Sequence, residues 1–427
     1  MVTIIFIIMV ILLLLGFPMM VPLLTAALLT LFLIVDSSNV SLLMGQMISG
    51  VQSWALAAVP LFILAADIMT KGHTANRLLD LVQSFVGHLR GGLPITTAAS
   101  CTLFGAVSGS TQATVVAMGS PMRPKLLEKG YSDTFTLALI INASDIALLI
   151  PPSIGMIIYG VVAGASIGDL FIAGILPGLM ILGLISIYCY IASRLQGIEP
   201  EQRVGWLHRL QAIKKAALPL GFPLVVVGGI YGGFFSPTEA AAIAVLYALI
   251  LEVVILRAVK IHELWGLALS TGLITAVVFI LVAAGNAFTW TISFAGIPQA
   301  LLGPVLETIG SNPIAVLSLI AVCFFVGCMF VDPIVVILIL TPLFAPAISG
   351  AGLDPIHVGV IVVLQAAIGS ATPPFGCDIF TAMAVFRRPY LDIIRGTPPF
   401  IAILLFATVL LILFEDISLW LPSLMSR

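Results

Sequence analysis

Nine stretches of the sequence, 4–34, 52–70, 132–163, 170–192, 217–234, 238–257, 265–290, 356–386 and 398–421, are apolar over roughly the 20 residues a helix needs to cross a bilayer. In hydrocarbon a backbone N–H or C=O without an internal partner costs several kcal/mol, so such segments are confined to helices. Charged residues are scarce, 8% of the chain with a net charge of −2, where soluble domains carry about 25%. The expected fold is an all-α polytopic membrane protein in a lipid bilayer. The Lys and Arg residues form no basic face, which removes nucleic acid as a partner. The first run has no basic leader or cleavage signal and is read as retained, either as one kinked span or as a span plus an interfacial helix.

All 17 Lys and Arg residues fall outside the apolar cores or at their ends, so the positive-inside rule assigns sidedness. Connectors 71–90, 123–129, 194–215, 257–260 and 387–395 are basic and read as cytoplasmic. Connectors 36–50, 164–169, 291–312 and 342–355 hold no Lys or Arg and read as external. Two further apolar stretches, 93–120 and 313–341, have flanks of one kind on both sides and are too short to cross twice. Each is expected to be a re-entrant hairpin, the first with its tip at "GAVSGST" and the second near "GCMFVDP". Backbone exposed at that depth is tolerated only inside protein or against water and ions.

A shift of 222 residues lays 99–163 on 321–385 without a gap. Only nine positions of 65 are identical, but five of the nine are Gly or Pro, whose backbone geometry is hard to replace: Gly105 on Gly327, Pro124 on Pro346, Gly130 on Gly352 and Pro151-Pro152 on Pro373-Pro374. The basic loop precedes the double-proline helix in the first copy and follows it in the second, so the copies are inverted. An inverted repeat of hairpin plus interrupted helix marks secondary transporters that bind at the bilayer midplane.

Adjacent prolines remove backbone donors and break the helix, freeing carbonyls at membrane depth. With the hydroxyls of "INASD" and "AIGSAT" these suit a dehydrated alkali cation, while half-helix N-termini suit a carboxylate. Of the acids at membrane depth, Asp332 (aligned with Ser110 at the tips) and Asp145 (in the first break) are the ones expected at the site. Glu239 is expected to cap a helix with Ser236 or Thr238, and Asp67 and Asp378 to lie near the interface in contact with water.

The five cysteines lie in apolar segments without CxxC spacing or a nearby His, and no nucleophile or metal set is evident, so an enzyme is not expected. No GxxxxGK[ST] loop is present to couple ATP. No Lys or Arg lies deep in a span, so an anionic substrate would be met by helix N-termini and co-bound cations. Tips rich in hydroxyls and carbonyls, without a His relay, favour Na+ over protons.

The segments "FGAVSGSTQAT", "PPSIGMIIYG", "SIGDLFIAGILPG", "SPTEAAAIAVLYA" and "TPPFG", in this order, resemble the large membrane subunit of the tripartite ATP-independent periplasmic (TRAP) transporters, over essentially the whole chain. The resemblance implies a sodium-driven importer of organic acids in a bacterial inner membrane, with an elevator-type fold. Repeats 93–163 and 313–386 would form the transport domain. Segments 1–92 and 164–312 would be mostly scaffold, and 387–427 a C-terminal span. It implies two partners, a periplasmic substrate-binding protein and a small four-helix membrane subunit, the latter a separate polypeptide because no four-span segment is joined to this chain. Ser108, Ser110, Asn142 and Asp145 are carried over as one sodium and substrate cluster, and Gly327, Asp332, Gly369 and Thr372 as the other. Of these, Ser108, Ser110, Asp145, Asp332 and Thr372 are the expected substrate contacts. Sialic acid is the favoured substrate and C4-dicarboxylates come next. The alternative is a stand-alone sodium- or proton-coupled carboxylate transporter that needs no binding protein.

Overall fold

The computed structural model describes residues 2–35, 40–310 and 312–425, and every regular element among them is helical. The first apolar run is not one span. It forms α1 (Val2–Leu14) and α2 (Met20–Leu33), which pack on each other across a turn at Gly16, φ +81°. At 1.5 Å per residue each is about 20 Å long, too short to cross alone. Of the external connector expected at 36–50, positions 36–39 lie outside the described residues and the rest is α3 (Val40–Val51). The span α4 (Ala58–Lys71) is followed by α5 (Thr74–Val86), a helix inside the expected cytoplasmic connector that buries Leu78, Leu79 and Val82 and exposes Asn76 and Asp80.

The first hairpin is α6 (Gly92–Ser108) and α7 (Thr111–Glu128), and the first broken helix is α8 (Asp133–Ser144), a 3-10 turn at Asp145–Leu148, and α9 (Ile154–Ala163). Then come α10 (Ile167–Leu195), α11 (Trp206–Tyr231), α12 (Pro237–Leu249) and α13 (Ile261–Phe294), with α14 (Ile297–Ile309) in the expected external connector. The second hairpin is α15 (Pro313–Phe330) and α16 (Pro333–Gly350), and the second broken helix α17 (Pro355–Ser370) and α18 (Cys377–Phe386). A short α19 (Tyr390–Ile394) leads to α20 (Pro398–Leu413) and α21 (Asp416–Met425), bent by 59° where a single last span was expected.

The 222-residue shift carries α6's end (Ser108) onto α15's end (Phe330), α7's bounds onto α16's, and the start of α8 (Asp133) onto that of α17 (Pro355). Gly130 and Gly352 both adopt positive φ, and both Pro-Pro bonds are cis. The hairpins are longer than their apolar stretches, because α7 continues through Pro121 and Pro124 and α16 through Pro342 and Pro346. Each copy lends a half-helix to the other: α9 packs on α16, and α18 on α7.

Residues from the basic connectors meet at one end of the bundle. Asp133 accepts Arg123 Nε at 2.8 Å and Arg388 Nε at 2.8 Å, and Lys125 reaches Gln83, which donates to Glu201. The loops after the first hairpin and after the second broken helix therefore share a face, as the inverted charge pattern requires. The helix α10 packs on α6, α9, α17, α20 and α21, and a ring cluster of Phe135, Tyr188 and Phe400 ties it to α8 and α20. The helix α11 packs mainly on α5 and α12, and α13 on α2, α3 and α4 and also on α16 of the second hairpin.

The continuation of α12 is a π-helical turn, Ile250–Ile255, that turns Glu252 into the protein. There its carboxylate accepts the Thr74 hydroxyl at 2.6 Å and the His73 N–H at 3.2 Å. Glu252→Ala would leave both donors without an acceptor. It is expected to cost about 3 kcal/mol, the loss typical of buried charge-assisted bonds, read as a lower melting temperature of the solubilised protein.

Candidate functional site

Both hairpin tips line one cavity of about 330 Å³, within the range of small-solute sites. One wall is the first tip, Ser108 to Ala113, and another is the second tip, Asp332 to Ile334. The start of α9 contributes Ile154 and Gly155. The opposite wall is Ile63 and Asp67 of α4 with Ile274 and Val278 of α13.

At the first tip Gly109 ends α6 in the left-handed region, φ +59°. Any side chain there would run into the carbonyl of Pro152, so the tip can rest on the first helix break only through glycine. Ser110 then caps α7, accepting from the Ala113 N–H, while Ser108 and Thr114 share a hydroxyl bond of 3.0 Å. At the second tip Asp332 caps α16 through Ile334 N–H at 2.9 Å, and Phe375 N–H donates to Met329 C=O at 3.1 Å, tying the second break to α15. Ser153 caps α9 in the same way, accepting from Met156 N–H. Three helix N-termini thus converge on the cavity, and each carries a partial positive charge.

The residues expected at the site divide into three groups. Ser108, Ser110 and Asp332 line the cavity. Asn142 and Asp145 lie outside its lining, buried in the wall of the first repeat. The Asn142 amide donates to Ala138 C=O at 2.8 Å, but its Oδ1 and both oxygens of Asp145 have no hydrogen-bond partner. Buried polar atoms are normally paired, so these three oxygens are acceptors left open to a ligand or a proton. Gly327, Gly369 and Thr372 form the third group, under the second tip. Gly327 C=O accepts Val331 N–H, Gly369 C=O accepts Thr372 N–H, and the Thr372 hydroxyl donates to Ile368 C=O at 2.6 Å. Gly369 presses on Cys328 of α15, leaving no space for a side chain.

Of the two acids expected to stay wet near the interface, Asp378 does not, whereas Asp67 keeps partial exposure in the cavity wall. Asp378 is fully buried and accepts the Thr111 hydroxyl at 2.8 Å and the Ser370 hydroxyl at 2.6 Å, joining the first tip to the second broken helix. Asp67 is half-buried in the cavity wall, held by Thr271 Oγ1 at 2.8 Å. Hydropathy places both near helix ends, and only the packing of α4 on α13 and of α18 on α7 turns them inward. A polar Thr in each facing run, Thr271 and Thr111, was the available signal. Glu239 forms the expected capping box with Ser236.

The cavity lining contains two carboxylates and no Lys, Arg or His. Such a pocket can accept a cationic group on its acids and an anionic group on its helix N-termini.

A family model described as "Tripartite ATP-independent periplasmic transporter, DctM component" matches residues 6–417. The ectoine TRAP transporter large permease protein TeaC of Halomonas elongata is 62% identical over 97% of this chain and 97% of its own. The ectoine/5-hydroxyectoine TRAP transporter large permease protein UehC of Ruegeria pomeroyi is 59% identical over 98% of each. Among solved structures, the Alcanivorax borkumensis YdaH transporter aligns with a TM-score of 0.64 at 15% identity, over 91% of this chain and 90% of that one. That last likeness is one of fold.

Proposed function

This chain belongs to the DctM component family of the tripartite ATP-independent periplasmic transporters, and from that premise we propose that the solute it carries is a small zwitterion of the ectoine type. It is the large membrane permease of such a system, a transport component and not an enzyme, seated in the inner membrane and working with a small membrane subunit and a periplasmic binding protein.

The observation that carries the substrate reading is the sign of the cavity. Ectoine joins a carboxylate to a cyclic amidinium, one group for the helix N-termini at the first tip and at α9 and one for the acidic side of the cavity. A C4-dicarboxylate brings two negative charges to a cavity that already holds two. Like charges 4 Å apart repel by about 4 kcal/mol at an effective dielectric near 20. Sialic acid, the substrate expected from the sequence, brings a carboxylate and no cation. The two ectoine permeases, near 60% identity, support the same choice.

Sodium is the proposed coupling ion, with Asn142 and Asp145 its strongest ligands because their oxygens lack partners. The proposed moving body is the two repeats together with α10 and α20, which pack on them, against a scaffold of α2–α4 and α11–α13. The test is uptake of labelled ectoine, sialic acid and a C4-dicarboxylate into proteoliposomes holding this chain and its small subunit. Ectoine uptake that needs both an inward sodium gradient and the binding protein is the expected result. Uptake at full rate without the binding protein would favour a stand-alone carrier, and uptake of the dicarboxylate alone would overturn the substrate reading.

A further inference from the structure

We propose that Asp67, on α4 and outside both repeats, is the residue that selects a cationic group in the substrate. The inference rests on the zwitterion reading above and assigns its positive half to one carboxylate.

The two acids of the cavity are not equivalent. Asp332 is committed to its own backbone, with Oδ1 capping Ile334. Its other oxygen accepts no side-chain hydrogen bond among the described residues, but the cap tethers the carboxylate to the start of α16, so it stays with the tips. Asp67 has no such duty. Its Oδ2 accepts the Thr271 hydroxyl, which fixes the plane of the carboxylate, and its Oδ1 has no hydrogen bond among the described residues. The wall around it is Ile63, Ile274 and Val278, which offers no competing donor. No Lys or Arg pairs with it, since the ion pairs of the described residues involve Glu263 and Asp133. A half-buried carboxylate on an apolar wall, held in one orientation with one oxygen open, is built for a planar N–H donor.

Its place on α4 adds a consequence. The tips and the helix break are shared by the two repeats, whereas Asp67 faces them from a helix packed on α12 and α13. If the repeats carry the solute as one body, the contact with Asp67 exists only while the cavity faces α4. Asp67 therefore selects at one stage of the cycle and is left behind at the next.

The test is direct binding to the purified complex of this chain with its small subunit, in saturating sodium, by isothermal titration. The probes are ectoine and tetrahydropyran-2-carboxylate, which keeps a ring and a carboxylate but carries no positive charge. Asp67→Asn is expected to weaken ectoine about 10- to 100-fold, the range for loss of a charge-assisted bond, and to leave the neutral-ring probe within about 3-fold. Thr271→Val, which frees the carboxylate to rotate without removing it, is expected to weaken ectoine by a smaller factor, about 3- to 10-fold. Ectoine binding unchanged in Asp67→Asn would overturn the inference and leave the zwitterion reading intact. Equal loss of both probes would also overturn it, since that marks a structural effect. Failure of the unmutated complex to bind ectoine would overturn the substrate reading and this inference with it.

Discussion

Replacing Asp145 by Asn is expected to abolish sodium-dependent uptake, by at least about 100-fold, while raising the melting temperature of the sodium-free protein. The two effects have one cause. Asp145 is 1% exposed, and neither carboxylate oxygen has a hydrogen-bond partner. An ion left alone in the interior costs several kcal/mol after relaxation, and a neutral amide of the same shape removes most of that penalty. Under the proposed coupling, sodium bound beside Asp145 and Asn142 offsets the penalty in the unmutated protein. Addition of sodium at 100 times its Kd would then stabilise that protein by about 2.7 kcal/mol and the variant by almost nothing. Thermal melts with and without sodium, matched by choline chloride, separate the outcomes. A sodium-induced rise that is the same in both proteins would remove Asp145 from the ion site.

The sequence made the repeat legible because Gly and Pro do work there that other residues cannot. Gly130 and the double prolines set a turn and the breaks, Gly105 lets α6 approach Ala147, Pro124 lies within α7, and the 222-residue shift they define matches the ends of the hairpin helices at the tips. The positive-inside rule grouped the basic connectors correctly because Arg123, Asp133 and Arg388 meet in space. What stayed hidden depends on rotation about helix axes. Hydropathy reports that Asp67 and Asp378 lie near helix ends but not which way they point, and both point inward. It also reads α3, α5 and α14 as connectors, because a helix lying beside a bundle needs only a stripe of apolar residues and not a run of 20. The substrate was the least legible part. Nothing in the tip motifs distinguishes sialic acid from a zwitterion, and Asp67, the acid proposed to make the difference, lies on α4, outside both repeats.

The broken helices also explain how a cavity forms between elements that are otherwise close-packed. Thr111 and Ser370 both bond Asp378, so the first tip, the end of α17 and the start of α18 are one hydrogen-bonded unit. Tyr159 at the far end of α9 donates to Pro355 C=O at 2.9 Å, closing the complementary link from the first broken helix to the second. With each repeat pinned to the other at two places, the first tip is not free to move without the second broken helix. Under the proposed motion of the repeats as a single body, these links account for why the first hairpin would not open on its own.

A pair of glycines provides the sharpest test of that docking. Gly109 and Gly164 end their helices, α6 and α9, with nearly the same backbone, φ +59° and +66°. Alanine at either carries the left-handed penalty of about 1 kcal/mol. Their surroundings differ completely: a Cβ at Gly164 meets nothing within 4 Å, whereas at Gly109 it meets the Pro152 carbonyl and lies 3.4 Å from Ser153 Cα. Gly164→Ala is therefore expected to cost about 1 kcal/mol and to preserve uptake. Gly109→Ala must in addition lift the tip off the helix break, stretching the Ile154 N–H to Gly109 C=O bond that is already 3.4 Å. Its total cost is expected to be about 2–4 kcal/mol, with the extra share arising from overpacking. Uptake should fall by about 5- to 100-fold, because the extra share of about 1–3 kcal/mol misplaces the binding state and every 1.4 kcal/mol is a factor of ten. Equal losses of uptake in the two variants would mean that backbone strain alone limits the tip, and that its contact with Pro152 contributes nothing to transport.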